Sequence, residues 1–205
     1  MFAMLASGCL LFFGGASCGT ESEELHLWEE PSGQPDEPKP EDGNLHLSPL
    51  FSPGMVLQQN ARVAIFGTED PRTPVRVTAS WGAESETVHT SEDGKFLAYI
   101  QTPAAGGPYT MQVNDLSFGD ILIGEVWICS GQSNMQFELA SSDLSEVHGE
   151  EDSQSRSFTV PIRSAGKPRK MLDGGRWDYG AVDSVKSRVS AVAYYFARRL
   201  QRELG

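Results

Sequence analysis

The densest apolar run falls near the middle of the chain. Ile121, Leu122 and Ile123 are followed, after Gly124-Glu125, by Val126, Trp127, Ile128 and Cys129. So continuous a run predicts a strand buried on both faces of a parallel sheet. Ser130-Gly131 ends it with residues small enough for a tight bend. Gln132-Ser133-Asn134-Met135 comes next, and Met135 and Leu139, four apart, predict the inner face of a starting helix. Upstream the period changes. Val63 and Ile65 alternate, as do Val75, Val77 and Ala79, then Phe96, Ala98 and Ile100, then Met111 and Val113. Glu69-Asp70-Pro71, Glu92-Asp93-Gly94 and Gly106-Gly107-Pro108 read as turns between them. Short strands at this spacing predict an antiparallel β-sandwich-like module. Downstream, Phe158–Ile162 reads as a strand. From Ser187 on, Val189, Val192, Ala193, Phe196, Ala197, Leu200 and Leu204 recur at helical spacing.

Four segments follow from this pattern. Residues 1–18 read as an export leader, apolar and with small residues before Cys18, although the first basic residue is Lys39. Gly15-Ala16-Ser17-Cys18 has the shape of a lipoprotein box, which makes Cys18 a candidate lipidation site and membrane attachment. Residues 19–43, rich in Glu, Asp, Pro and Gly, read as a disordered acidic linker. Residues 44–118 form the β module and residues 119–205 the strand–turn–helix region. The expected location is therefore outside the cytoplasm: periplasmic, envelope-attached or secreted. With Cys9 and Cys18 in the leader, Cys129 is a lone thiol inside an apolar strand, a small core residue that makes no intrachain disulfide.

Composition narrows the partners. The 205 residues are 39% hydrophobic, enough for a core, and carry a formal charge of −12. Such a balance argues against binding nucleic acid or an anionic membrane by charge. No His/Cys/Asp cluster has metal-ligand spacing, so no metal or organic cofactor is expected.

The candidate chemistry centres on Ser133. A serine in such a turn lies at the carboxyl end of a strand, where open α/β sheets bind ligands. Free N–H groups there can stabilise an oxyanion. The plainer alternative is that Ser133 caps the helix. The G-x-S-x-G elbow is absent, because Met135 stands where its second glycine would be. His148, with Glu150, Glu151 and Asp152 beside it, is the histidine nearest in sequence. Its surroundings read as solvated and flexible, whereas a catalytic base must be held within hydrogen-bond reach. Trp81 could serve as a sugar platform but reads better as part of the β scaffold.

The string F-G-D-I-L-I-G-E-V-W-I-C-S-G-Q-S-N-M-Q-F-E-L, ending at Leu139, closely resembles the sialate O-acetylesterase family of SGNH-type hydrolases. So do Leu47–Gln59, Glu92–Phe96, Gly106–Thr110 and Ser190–Leu200, all in the family's order. The resemblance implies an SGNH/flavodoxin-like parallel sheet of α/β class, preceded by the small β-sandwich-like domain. It implies an O-acetylated sugar or glycan as substrate. It makes Ser133 the catalytic nucleophile, and its backbone N–H part of the oxyanion hole. The family's catalytic His and Asp lie in a later D-x-x-H-like element that no position here matches. A βαβ unit takes roughly 30 residues or more, so a full parallel sheet needs more chain than follows Ile121. The sheet is therefore expected to be incomplete and the chain an inactive fragment of a carbohydrate O-acetylesterase. The alternative is a non-catalytic envelope module that binds glycan.

Overall fold

The computed structural model describes residues 2–7, 45–145, 147, 154–167, 169, 171–179 and 187–204. The chain is mostly strands: β1 (Phe2–Ser7), β2 (His46–Leu47), β3 (Val56–Gln58), β4 (Arg62–Thr68), β5 (Pro74–Val75), β6 (Val77–Ala79), β7 (Val88–His89), β8 (Lys95–Gln101), β9 (Gly106–Val113), β10 (Leu116–Ser130), β11 (Ser155–Val160) and β12 (Trp177–Tyr179). Two helices are described, α1 (Ser133–Gln136) and α2 (Ala191–Leu204), with a 3-10 turn at Leu139–Ser141. No described helix is long and apolar enough to cross a membrane.

A curled mixed sheet of seven strands runs β12-β11-β1-β10-β9-β6, with β3 also paired to β10. A three-stranded sheet, β2-β4-β8, and a two-stranded one, β5-β7, accompany it. The alternations expected in the β module appear. Phe96, Ala98 and Ile100 on β8 are buried while Leu97 and Tyr99 are exposed, and Ile65, Val77, Met111 and Val113 join them in one cluster. Two hydrophobic sheet faces close on each other, as the period-2 pattern requires. Trp81 is part of this scaffold: its Nε1–H donates to the Gln101 carbonyl and its ring meets Tyr109 edge-on.

One expected turn is not a turn. Gly106-Gly107-Pro108 opens β9 instead. Gly107, at φ +127°, lies so close to β10 that a Cβ would stand 2.7 Å from the Ile121 carbonyl oxygen. Close backbone approach, not chain reversal, explains Gly107, whereas at Gly106 the Tyr109 side chain takes the space.

β10 is fifteen residues long and does two jobs. Its first part pairs antiparallel with β9, and its last six residues, Glu125–Ser130, pair parallel with β1. It thus runs through the boundary expected between residues 118 and 119. Register irregularities flank Ile121, and Asp120 sits at φ +56°. Such bulges bend a strand and increase its twist. Arg156 of β11 ties down this one: Nη1 donates to the Asp120 carbonyl at 2.6 Å and Nη2 to its carboxylate at 2.8 Å. Arg156 is buried, and its guanidinium also lies over the Tyr179 ring. That ring's hydroxyl is pushed above its ordinary pKa, first by burial and then by Asp120.

The main core also spans that boundary. Phe158 and Trp177 belong to the same buried cluster as Phe51, Met55 and Ile121, and Trp177 Nε1–H donates to the Leu50 carbonyl at 2.9 Å. Gly175, at φ +112°, lies against Phe158, and a Cβ there would be 2.3 Å from Phe158 Cζ. Gly175→Ala should therefore destabilise by about 1–3 kcal/mol through overpacking, with backbone strain in addition. A denaturant titration showing no loss would mean that the two residues are not packed in this way.

Two helix expectations need correction. Met135 and Leu139 do not share one helix. α1 is a single turn, and Phe137 leaves it extended at ψ 116°. Leu139 N–H then bonds Val189 O and Ala191 N–H bonds Phe137 O, around a bridge between Glu138 and Ser190. Cross-chain bonds thus replace the next helical turn. In α2 the buried residues are Ala191, Ala193, Tyr194 and Ala197, whereas Val192 and Phe196 are exposed. The small residues face the sheet because they let the helix approach Cys129 of β10 closely.

Candidate functional site

The site lies where the parallel half of β10 ends. Strand burial is one-sided here, contrary to expectation: Cys129 is packed beneath α2, but Ile128 is 74% exposed and Trp127 meets only Phe196 edge-on among the described aromatic rings. Successive side chains point to opposite faces, and no described helix covers the Ile128 face. Burial pushes the Cys129 thiol above its ordinary pKa. Cys129 should therefore resist iodoacetamide in the folded protein and react once the protein is unfolded. Peptide mass mapping will read this, and rapid labelling under native conditions would contradict the packing beneath α2.

Ser133 is exposed, three residues past the end of β10. It is the first residue of α1, while Gln132 is the N-cap and makes no side-chain cap bond. The capping role weighed for Ser133 is thus not the one it occupies. No described residue is hydrogen-bonded to its hydroxyl. The Met135 and Gln136 N–H groups both bond Gln132 O, which leaves the first N–H groups of the turn outside the helical ladder. Met135 is half-buried against Cys129, Ala193 and Ala197, and anchors the turn to α2.

Beside α1 opens a cleft of about 530 Å³. Gln136, Glu138, Thr159, Ile162, Arg176 and Arg188 are among its walls, and Ser133 stands just outside this lining. At its floor the buried Asp178 carboxylate accepts from Arg188 Nη2 at 2.8 Å and Nε at 3.2 Å, and pairs with Arg176 Nε at 3.3 Å. Asp178 holds the Arg188 guanidinium above its usual range. This ion cluster escaped the sequence reading. Its members are Asp178 on β12, Arg176 just before that strand and Arg188 in the segment before α2, and nothing in their spacing marks them as partners. Glu125 was missed for the same reason: it accepts from Gln58 and Gln59, which fix β3 against β10.

The other predicted positions are not brought here. His148 and Cys18 lie outside the described residues. The described histidines, His46 and His89, stand on β2 and β7 in the two smaller sheets. Among the described residues no group of three or more His, Cys, Asp or Glu stands close enough to hold a metal ion.

No protein-family model matches the chain. A solved structure of a carbohydrate acetylesterase from Xanthomonas citri superposes with a TM-score of 0.72 at 31% identity, covering 79% of this chain and 38% of that one. Fold and sequence together liken the chain to part of a carbohydrate acetylesterase. Rat sialate O-acetylesterase is 31% identical over 172 residues, covering 71% of this chain and 31% of that protein. The mouse protein of the same name is 32% identical over 111 residues, covering 45% and 20%. The chain belongs to the sialate O-acetylesterase family. It spans about a third of the rat protein's length.

Proposed function

We propose that this chain is the nucleophile-bearing part of an SGNH-type carbohydrate O-acetylesterase. The observation that carries this reading is Ser133, exposed just past the parallel end of β10. A serine hydroxyl is a poor nucleophile until a base takes its proton. With a base supplied, Ser133 Oγ attacks the carbonyl carbon of a sugar-bound acetyl ester. The Ser133 N–H helps to hold the developing oxyanion. The tetrahedral adduct expels the sugar hydroxyl, which takes up the proton held by the base. Water then attacks the acetyl-serine and releases acetate. In this reading the His and Asp of the base lie in a D-x-x-H-like element outside this chain. The chain by itself is accordingly inactive. Export and attachment through Cys18 belong to the same proposal, supported by the apolar leader and the small residues before Cys18.

The test is to express the chain extended by the DNA that follows its last codon and to measure acetate release from acetylated sugars. The extended chain should release acetate, and Ser133→Ala should abolish the release. An active extended Ser133→Ala variant would exclude Ser133 as nucleophile. If no reading frame beyond the last codon encodes a D-x-x-H element, the fragment reading fails.

A further inference from the structure

The floor of the cleft beside α1 carries more positive than negative charge. Both oxygens of Asp178 are taken by arginines. Arg188 forks onto them through Nη2 and Nε, and Arg176 Nε adds a contact on Oδ1. Two guanidiniums on one carboxylate leave the cluster with a positive charge in excess. Asp178 is only 8% exposed, whereas the side chains of Arg176 and Arg188 are 64% and 36% exposed. The acid is therefore sealed in, and the cations border the open space.

Donors are also left over. Arg176 meets Asp178 through Nε alone, and its two Nη groups bond no described residue. A guanidinium presents five N–H donors in a planar fork that matches a carboxylate edge. Glu138, the other acid on the cleft wall, forms no ion pair with either arginine. Met135 and Gln136 of α1 line the same space, so the arginines and the turn that carries Ser133 share one cleft.

The reaction read for Ser133 makes one new anion. The sugar leaves as a neutral hydroxyl. Water then adds to the acetyl carbon, the bond to Ser133 Oγ breaks and the serine regains its proton. The acetic acid so formed ionises at neutral pH. We propose that Arg176 and Arg188 form a small-carboxylate site that captures this acetate, so that the enzyme is restrained by its own product. The identity of the ligand rests on the esterase reading, whereas the carboxylate site rests on the arginines alone.

Titration of the intact chain with sodium acetate at constant ionic strength, followed by amide and guanidinium NMR, tests the site without any turnover. Saturable shifts are expected at Arg176, Arg188, Met135 and Gln136, with a dissociation constant on the order of a millimolar. Arg176→Gln removes the exposed guanidinium and keeps the fork between Arg188 and Asp178. It should weaken acetate binding by about tenfold or more. Arg176→Lys keeps the charge without the fork and should fall between the two. Equal shifts with sodium chloride, or an unchanged affinity in Arg176→Gln, would sink the proposal. If Arg176→Gln does not fold, the chloride control on the intact chain decides. In the extended chain, acetate should slow hydrolysis of a chromogenic acetyl ester, and Arg176→Gln should relieve that slowing. Slowing that persists undiminished in Arg176→Gln would place the inhibition elsewhere and overturn product restraint at this site. An extended chain that releases no acetate would instead count against the esterase reading, and the titration would still decide the carboxylate site.

Discussion

Purified alone, the chain is expected to hydrolyse an activated acetyl ester no faster than its Ser133→Ala variant. The prediction follows from what surrounds the hydroxyl. Ser133 is exposed and bonded to no described side chain, and the described histidines sit on other sheets. Removing a serine hydrolase's base costs on the order of 10⁶ in turnover, which leaves only the contribution of binding and oxyanion donors. Initial rates with a chromogenic acetyl ester near neutral pH, for both proteins, will check this. Serine-dependent turnover at ordinary rates, about 1–10³ per second, would overturn it. His148 would then return as a candidate base.

The largest stability effect is expected at Phe158. This ring is fully buried, meets Trp177 edge-on at 5.4 Å and fills the space beside Gly175. Phe158→Ala should cost about 3–5 kcal/mol, because the lost transfer free energy is joined by a cavity beside Trp177 that the packed core closes only in part. Phe158→Leu keeps most of the volume and should cost less, about 1.5 kcal/mol. Equilibrium denaturation measures both. The shape of the transition matters as much as its midpoint. The cluster joins residues on both sides of β10's bulge, so the loss should appear in one cooperative transition. A loss confined to a separate, smaller transition would show that the two halves have separate cores.

The β module was the most legible part of the chain. Alternation at Phe96, Ala98 and Ile100 marked β8 and its inner face, because period 2 is a local property of the backbone. The strand before Ser133 was legible for the same reason, although not its exposure. Ile128 reads like Ile121 in sequence, and only what packs on each face separates the two. The Gly106-Gly107-Pro108 turn was misread because a glycine looks alike whether it frees the backbone to turn or makes room for a neighbour. α1 stopped early because Leu139 and Ala191 found partners far along the chain, a competition that local spacing does not record.

By itself the sequence marked the alternating strands of the β module, the strand before Ser133 and the long helix, which residue carries the candidate hydroxyl, and which family the chain belongs to. Periodicity and motif are properties of neighbours along the chain. The tertiary structure decided that β10 joins an antiparallel module to a parallel sheet, that Arg156 fastens its bulge, that Asp178 gathers two arginines at the cleft, and that Phe2–Ser7 stands beside the strand leading to Ser133. Each of these depends on groups far apart in sequence, whose attraction is felt only once the chain has brought them together.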